Sequence, residues 1–328
     1  MNIIRLIIVA FLFCLGATAQ NHKTSKPQKN EGIHSMLRRH GLNPIKYEKD
    51  FIELNKRNIG KNNSLFADRT YKIPLQSDSK PEIEKPKTNL LFGKKYEQIT
   101  IRDNALEGAV FYLLSGHGGP DPGAIAHQGK NMLCEDEYAY DVTLRLARRL
   151  MEHNATVYMI IQDKNDGIRD ESILKPDKDE VCYPNLTIPL NQKKRLQQRV
   201  DAVNELNKKH PEKYQRAVEI HIDSRSKKQN IDVYFYYKTG DVQGRATAKN
   251  MHETFKAKYA QHQPDRGYNG TISTRQLFTL ENITPSTVFI ELGNMQHAND
   301  LKRFMLVNNR QAIANWFTES LIKDYKSK

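Results

Sequence analysis

The chain is poor in cysteine, with three in 328 residues: Cys14, Cys134 and Cys182. Cys14 falls in an N-terminal leader, so two remain for the folded protein. Two cysteines exclude a disulfide framework, and with no C-x-x-C spacing they exclude a cysteine-built metal centre. Either one bridge between Cys134 and Cys182 or two buried free thiols is compatible with the sequence. Long apolar runs are also missing. The stretch Leu6 to Leu15 is too short to span a bilayer comfortably. A short positive end, Met1 to Arg5, precedes it, and Ala17-Thr18-Ala19-Gln20 follows, an A-x-A-like cleavage site. This pattern predicts an export signal over residues 1–19. It places the mature chain in the periplasm or cell envelope, with no stable membrane insertion once the signal is removed. Acidic residues are in deficit, 38 Asp and Glu against 51 Lys and Arg, for a net charge of +13. The basic pairs are scattered and not interleaved with aromatics, which argues against nucleic acid. Long-range attraction to the polyanions of the envelope is the reading kept for that charge. A G-x-S-x-G elbow is absent and no persuasive Cys–His pair is present, so a covalent nucleophile is not indicated.

What is present falls into two parts. Asn21 to Asn30 is polar and Lys-rich and reads as a flexible lead-in. Residues 30–76 read as a small module. Ile33, Met36 and Leu37 open a helix that ends at His40-Gly41, a second helix runs from about Tyr47 to Asn58, and a strand from Arg69 to Leu75 is ended by proline. This order resembles a LysM domain, a β-α-α-β module. The resemblance rests on the first helix, the Leu54-Asn55 pair and Tyr71-Lys72-Ile73-Pro74, and it implies glycan binding. Residues 77–95, rich in Lys, Glu and Pro at their start, read as a linker.

Residues 96–326 alternate strands and helices. Strands are expected at Val110–Leu114, Ala155–Ile161, Arg216–Ile222, Ile231–Tyr237 and Thr287–Leu292. Helices are expected at Tyr138–Met151, Lys193–Asn207, Gln243–Tyr259 and Asn309–Tyr325. The alternation predicts an α/β fold, a mixed and mainly parallel sheet flanked by helices on both faces. Asp163 to Asn191 breaks the rhythm and reads as a lid, a regulatory plug or an extended loop.

The chemistry-bearing residues lie at element ends. The first strand stops in Gly116-His117-Gly118-Gly119-Pro120-Asp121-Pro122-Gly123, where glycines let the backbone turn sharply. Ligands bind at the carboxyl ends of strands in open α/β sheets. Cys134-Glu135-Asp136-Glu137 precedes a helix, with more acid than a cap needs. Glu219 and His221 share one face of a strand by the period of two. Glu291 ends another apolar strand, where a carboxylate is costly without purpose. Two histidines, one acid and a separate Glu fit a catalytic zinc site, with three protein ligands and a general base.

Gly116-His117-Gly118-Gly119-x-Asp121-Pro122-Gly123-Ala124, then Glu135, Ile220-His221 and Glu291-Leu292-Gly293, resemble the zinc-dependent N-acetylmuramoyl-L-alanine amidases of the Amidase_3 type. The resemblance spans about Val110 to Tyr325. It implies Zn2+ as cofactor, His117, Glu135 and His221 as its ligands, and Glu291 as the catalytic base. It further implies peptidoglycan as partner and substrate, with an activator protein as a possible second partner. The bond cut would join N-acetylmuramic acid to L-alanine. Where the family has a Glu-Lys pair, this chain runs Glu135-Asp136-Glu137, so either Glu is open as ligand. Glu135 is favoured because Tyr140 and Leu144 then fill the apolar positions of the helix. Two rivals accompany the reading: a zinc peptidase acting on stem peptides, and a non-catalytic peptidoglycan-binding protein.

Overall fold

In a computed structural model, residues 22–28, 31–42, 44–75, 86–211, 213–225 and 229–328 are described. The expected export signal and residues 77–85 of the expected linker lie outside these residues; the rest of that stretch is folded rather than linker-like, with Lys87–Thr88 pairing with Gln98–Ile99 and Phe92 fully buried in the main core. The chain divides into two compact units, Met1–Glu82 and Ile83–Lys328.

In the first unit, β1 (Thr24–Ser25) pairs antiparallel with β2 (Tyr71–Lys72), and α1 (Ile33–Arg39) and α2 (Pro44–Asn55) lie between them in sequence. The order is β-α-α-β. Its first strand comes from the stretch read as a flexible lead-in. Two polar residues carry no strand signal, and the pairing with β2 is what orders them. Met36, Leu37, Phe51 and Tyr71 are fully buried together. Asn55 stitches helix to strand: its Nδ2 donates to the carbonyl of Lys72 and its Oδ1 accepts the Lys72 N–H at 2.7 Å.

The second unit is built on a six-stranded sheet. Its strands are β3 (Ala109–Ser115), β6 (Thr156–Met159), β7 (Tyr214–Asp223), β8 (Tyr234–Tyr237), β9 (Thr271–Thr274) and β10 (Thr287–Asn294). A hairpin of β4 (Ile125–Gln128) and β5 (Asn131–Cys134) follows β3. The spatial order is β9-β8-β10-β7-β3-β6; all neighbours are parallel except β8 against β10. The expected mixed, mainly parallel sheet is therefore present. β3, β7 and β10 are buried almost throughout, as central strands covered on both faces must be.

Over one face helix α8 (Val307–Lys326) packs against both α3 (Glu135–Glu152) and α5 (Val242–His262). There Phe111, Val218, Ile220, Ile290 and Leu292 enter the main core. Helix α4 (Gln192–Asn207) covers the other face, where Val200, Val203 and Leu206 meet Val110, Tyr112 and Ala217. The short helix α6 (Phe278–Asn282) packs beside α4. Alternation along β7 puts Glu219 and His221 on this second face, in step with Ala217. Helix α7 (Ala298–Met305) follows β10. β9, the β4–β5 hairpin, α6 and α7 are short and without a clean period, so the sequence pattern does not predict them. Cys134 and Cys182 are buried free thiols. Among the described residues no helix is long and apolar enough to cross a membrane.

Candidate active site

Three parallel strands and one helix deliver the site. β3 ends at Ser115, and the N–H of Gly116 donates to the carbonyl of Ile220 at 2.7 Å, tying the following turn to β7. His117, Gly118 and Gly119 then take φ of 63°, 100° and 63°. His117 is thus held in the left-handed region, a strained backbone for a residue with a side chain. Gly116 is dictated by its neighbour: a Cβ there would stand on the His221 ring. Gly123 is equally confined, its Cβ position lying 2.7 Å from Glu135 Oε2 and from the His117 ring. Replacing Gly116 with alanine should therefore push His221 aside. We expect at least a ~10-fold loss of metal affinity, the scale seen when ligand orientation is disturbed, measured by competition with a chromogenic chelator.

Glu135 opens α3 and is 4% exposed. It is held by the N–H groups of Ala124 at 2.8 Å and Ile222 at 2.9 Å. Its Oε2 lies 3.2 Å from His117 Nε2 and its Oε1 3.1 Å from His221 Nδ1. Each imidazole has a second carboxylate at its far nitrogen. Glu219 stands 3.2 Å from His221 Nε2, and Asp121 stands 3.0 Å from His117 Nδ1, close enough for an ion pair but out of line for a hydrogen bond. Arg195 holds Asp121 at 2.5 Å, and the buried Arg199 guanidinium donates to the His117 carbonyl. Phe289 stacks on the His221 ring at 4.3 Å between centroids.

His117, Glu135 and His221 offer ligand atoms that all lie within 4.8 Å of one another. Two imidazole nitrogens and one carboxylate oxygen, with carboxylates behind both rings, match the donor set and outer support of a three-ligand zinc site. The residues present fit the metal that the sequence reading expects. Glu291 neighbours them: it pairs in register with His221 across β10 and β7, so both side chains leave the sheet on one face. It is 7% exposed, its Oε2 meets no hydrogen-bond donor, and Arg275 is 3.9 Å from its Oε1.

The electrostatics divide these groups. Burial opposes charge on His221, but hydrogen bonds to Glu135 and Glu219 prevail and raise it to about 10. His117 is also raised: burial again opposes, and Asp121 and Glu135 outweigh it. Burial likewise disfavours charge on Glu135, and the two histidines overcome it and lower its pKa. Glu291 goes the other way. Burial pushes it up to about 8, with His221 opposing and Glu135 and Asp223 adding. A carboxyl whose pKa lies close to neutrality can both take up and return a proton, the pattern of an acid–base catalyst.

Glu137 points elsewhere, pairing with Arg169 at 2.8 Å and accepting the Asp177 N–H at 3.0 Å. Of the two acids left open by the sequence, Glu135 is the one placed between the histidines. The supporting carboxylates were not singled out as such from sequence. Glu219 carried a signal, its shared strand face with His221. Asp121 lay inside the glycine-rich motif. The burial of Arg199 had no local signature.

Residues 112–323 match the family model described as N-acetylmuramoyl-L-alanine amidase, Amidase_3. Similar solved structures include the catalytic domain of the amidase CwlV from Bacillus (Paenibacillus) polymyxa var. colistinus. It is 19% identical at a TM-score of 0.48, over 67% of this chain and 99% of that one. AmiC2 of Nostoc punctiforme is also 19% identical at 0.48, over 68% and 99%. The CwlD amidase of Clostridioides difficile, solved in complex with the GerS lipoprotein, is 17% identical at 0.49, over 67% and 99%. No curated protein matches the chain.

Proposed function

The chain belongs to the N-acetylmuramoyl-L-alanine amidase family, and on that premise we propose that its site is a zinc centre held by His117, Glu135 and His221, with Glu291 as general base and acid. The enzyme is an amidase acting on peptidoglycan. The bond we assign is the amide between the lactyl group of N-acetylmuramic acid and L-alanine of the stem peptide. The observation that carries the reading is Glu135 seated between two imidazoles, with Glu291 in register beside His221.

When bound, zinc supplies Lewis acidity toward water and the scissile carbonyl. The chain's own residues do the rest. Asp121 and Glu219 hold the rings of His117 and His221 in orientation. Glu291 takes a proton from the attacking water at its carboxylate and returns it to the departing amine, which leaves as the free amino group of L-alanine. The lactyl carboxylate is the other product, so atoms balance as one water consumed.

The first unit fits the same reading: its β-α-α-β order supports a LysM-like module that binds glycan. Export to the periplasm or envelope follows from the leader in the sequence. The reading also includes an activator protein, and full activity of the purified chain alone would remove the need for one. The test of the zinc centre is turbidity loss of purified sacculi with the enzyme as prepared, after chelation, and after stoichiometric zinc is restored. Activity lost and then recovered with zinc is expected. Activity indifferent to chelation would contradict the assignment.

A further inference from the structure

We propose that a second, hard divalent cation of the calcium class binds between Asp136, Glu137 and Glu180, where the first turn of α3 meets the 163–180 segment. These three carboxylates are 2%, 2% and 5% exposed, and their ligand oxygens lie within 4.8 Å of one another. Ca–O distances of about 2.3–2.6 Å place opposite ligands up to about 5 Å apart, so one ion can reach all three. Asp163 and Asp177 gather around Glu180 within the same limit. Five carboxylates therefore meet at Glu180. Among the described residues the ion pair made to this group is that of Arg169 with Glu137. The positive end of α3 favours Asp136 and Glu137 but does nothing specific for the acids of the 163–180 segment. An all-oxygen donor set selects calcium or magnesium over zinc.

A separate observation points to a ligand. Asp136 Oδ1 accepts the N–H of Glu137 at 2.9 Å, whereas its Oδ2 is buried and meets no donor. An unmet buried carboxylate oxygen is costly, and a cation within the cluster satisfies it. The position also has a consequence for the amidase site. Glu180 Oε2 accepts the N–H of Gly119 at 2.6 Å, two residues after His117. A cation gripping Glu180 and Asp136 would fasten the 163–180 segment to the turn that carries His117 and to the helix that opens with Glu135. It uses none of the three residues assigned to zinc, and it does not depend on that assignment.

The test titrates CaCl2, and MgCl2 in parallel, into chelator-treated full-length protein, read by calorimetry and by melting temperature. We expect saturable binding of one ion per chain and a rise of roughly 5 °C or more at saturation. Asp136→Asn and, separately, Glu180→Gln should weaken that response at least ten-fold. The exposed Asp177→Asn should weaken it several-fold, and it guards against the buried variants failing to fold. His221→Ala should lose zinc yet keep the full response. The proposal is overturned if neither cation gives heat or a melting shift with wild type. A response that vanishes in His221→Ala and persists in Asp136→Asn and Asp177→Asn would overturn it too.

Discussion

Glu291→Gln should lower amidase turnover by roughly 10²–10⁴-fold, the usual contribution of a positioned general acid–base, while zinc content stays at one per chain. The variant keeps the shape and burial of the side chain and removes only its ability to take and return a proton. Steady-state release of soluble muropeptide, paired with metal analysis of the same sample, checks both halves. A variant that loses zinc together with activity would move Glu291 from base to ligand. The same substitution has a stability signature in chelated protein. Burial raises the folded-state pKa from 4.5 to about 8, so the folded chain keeps a proton that the unfolded chain gives up. That contribution is whole below pH 4.5 and is lost as pH rises through about 8. Glu291→Gln should flatten this decline in a series of urea midpoints taken from pH 4 to pH 9.

Removal of one imidazole is the second large effect. His221→Ala should reduce activity to background and leave the protein unable to retain zinc through dialysis, because three-ligand sites have no spare donor. The electrostatics add a signed pH dependence. His221, held protonated up to about 10 by Glu135 and Glu219 against burial, must give up its proton before it can bind metal, and His117 is raised in the same direction. Zinc uptake at neutral pH should therefore release one to two protons. Affinity should fall about ten-fold per released proton for each pH unit lowered. Calorimetry in buffers of different ionisation enthalpy reads the proton count directly. A count of zero would mean that the histidines are not the ligands.

Much of this site was legible because its residues sit where secondary structure ends. Val110 to Leu114 is an uninterrupted apolar run, and Gly116 to Gly123 cannot continue it, so His117 had to lie at the carboxyl end of a strand. Glu291 stood out for a similar reason: a carboxylate closing the apolar run Val288 to Leu292 needs a purpose. The choice between Glu135 and Glu137 was less legible, since both lie in one helical turn. Arg169, 32 residues on, is what draws Glu137 away. Glu219 and Asp121 as supports depend on ring orientation, which no spacing encodes. The small strands were missed because pairing partners make them. Thr24–Ser25 is ordered by Tyr71–Lys72, and β9 by β8, contacts that lie far apart in sequence or carry no apolar alternation. The acid cluster around Glu180 combines one helix turn with a loop, so composition showed the acids but not their meeting.

The central claim is tested most directly by the chemistry of the new ends. Purified peptidoglycan is digested with the zinc-loaded enzyme, and the products are identified by mass spectrometry after amino-group labelling. The account predicts labelled L-alanine at the head of free stem peptides, together with glycan strands whose muramic acids carry free lactyl carboxylates. Labelled ends at any later residue of the stem, with L-alanine still attached to muramic acid, would contradict it and make the enzyme a peptidase.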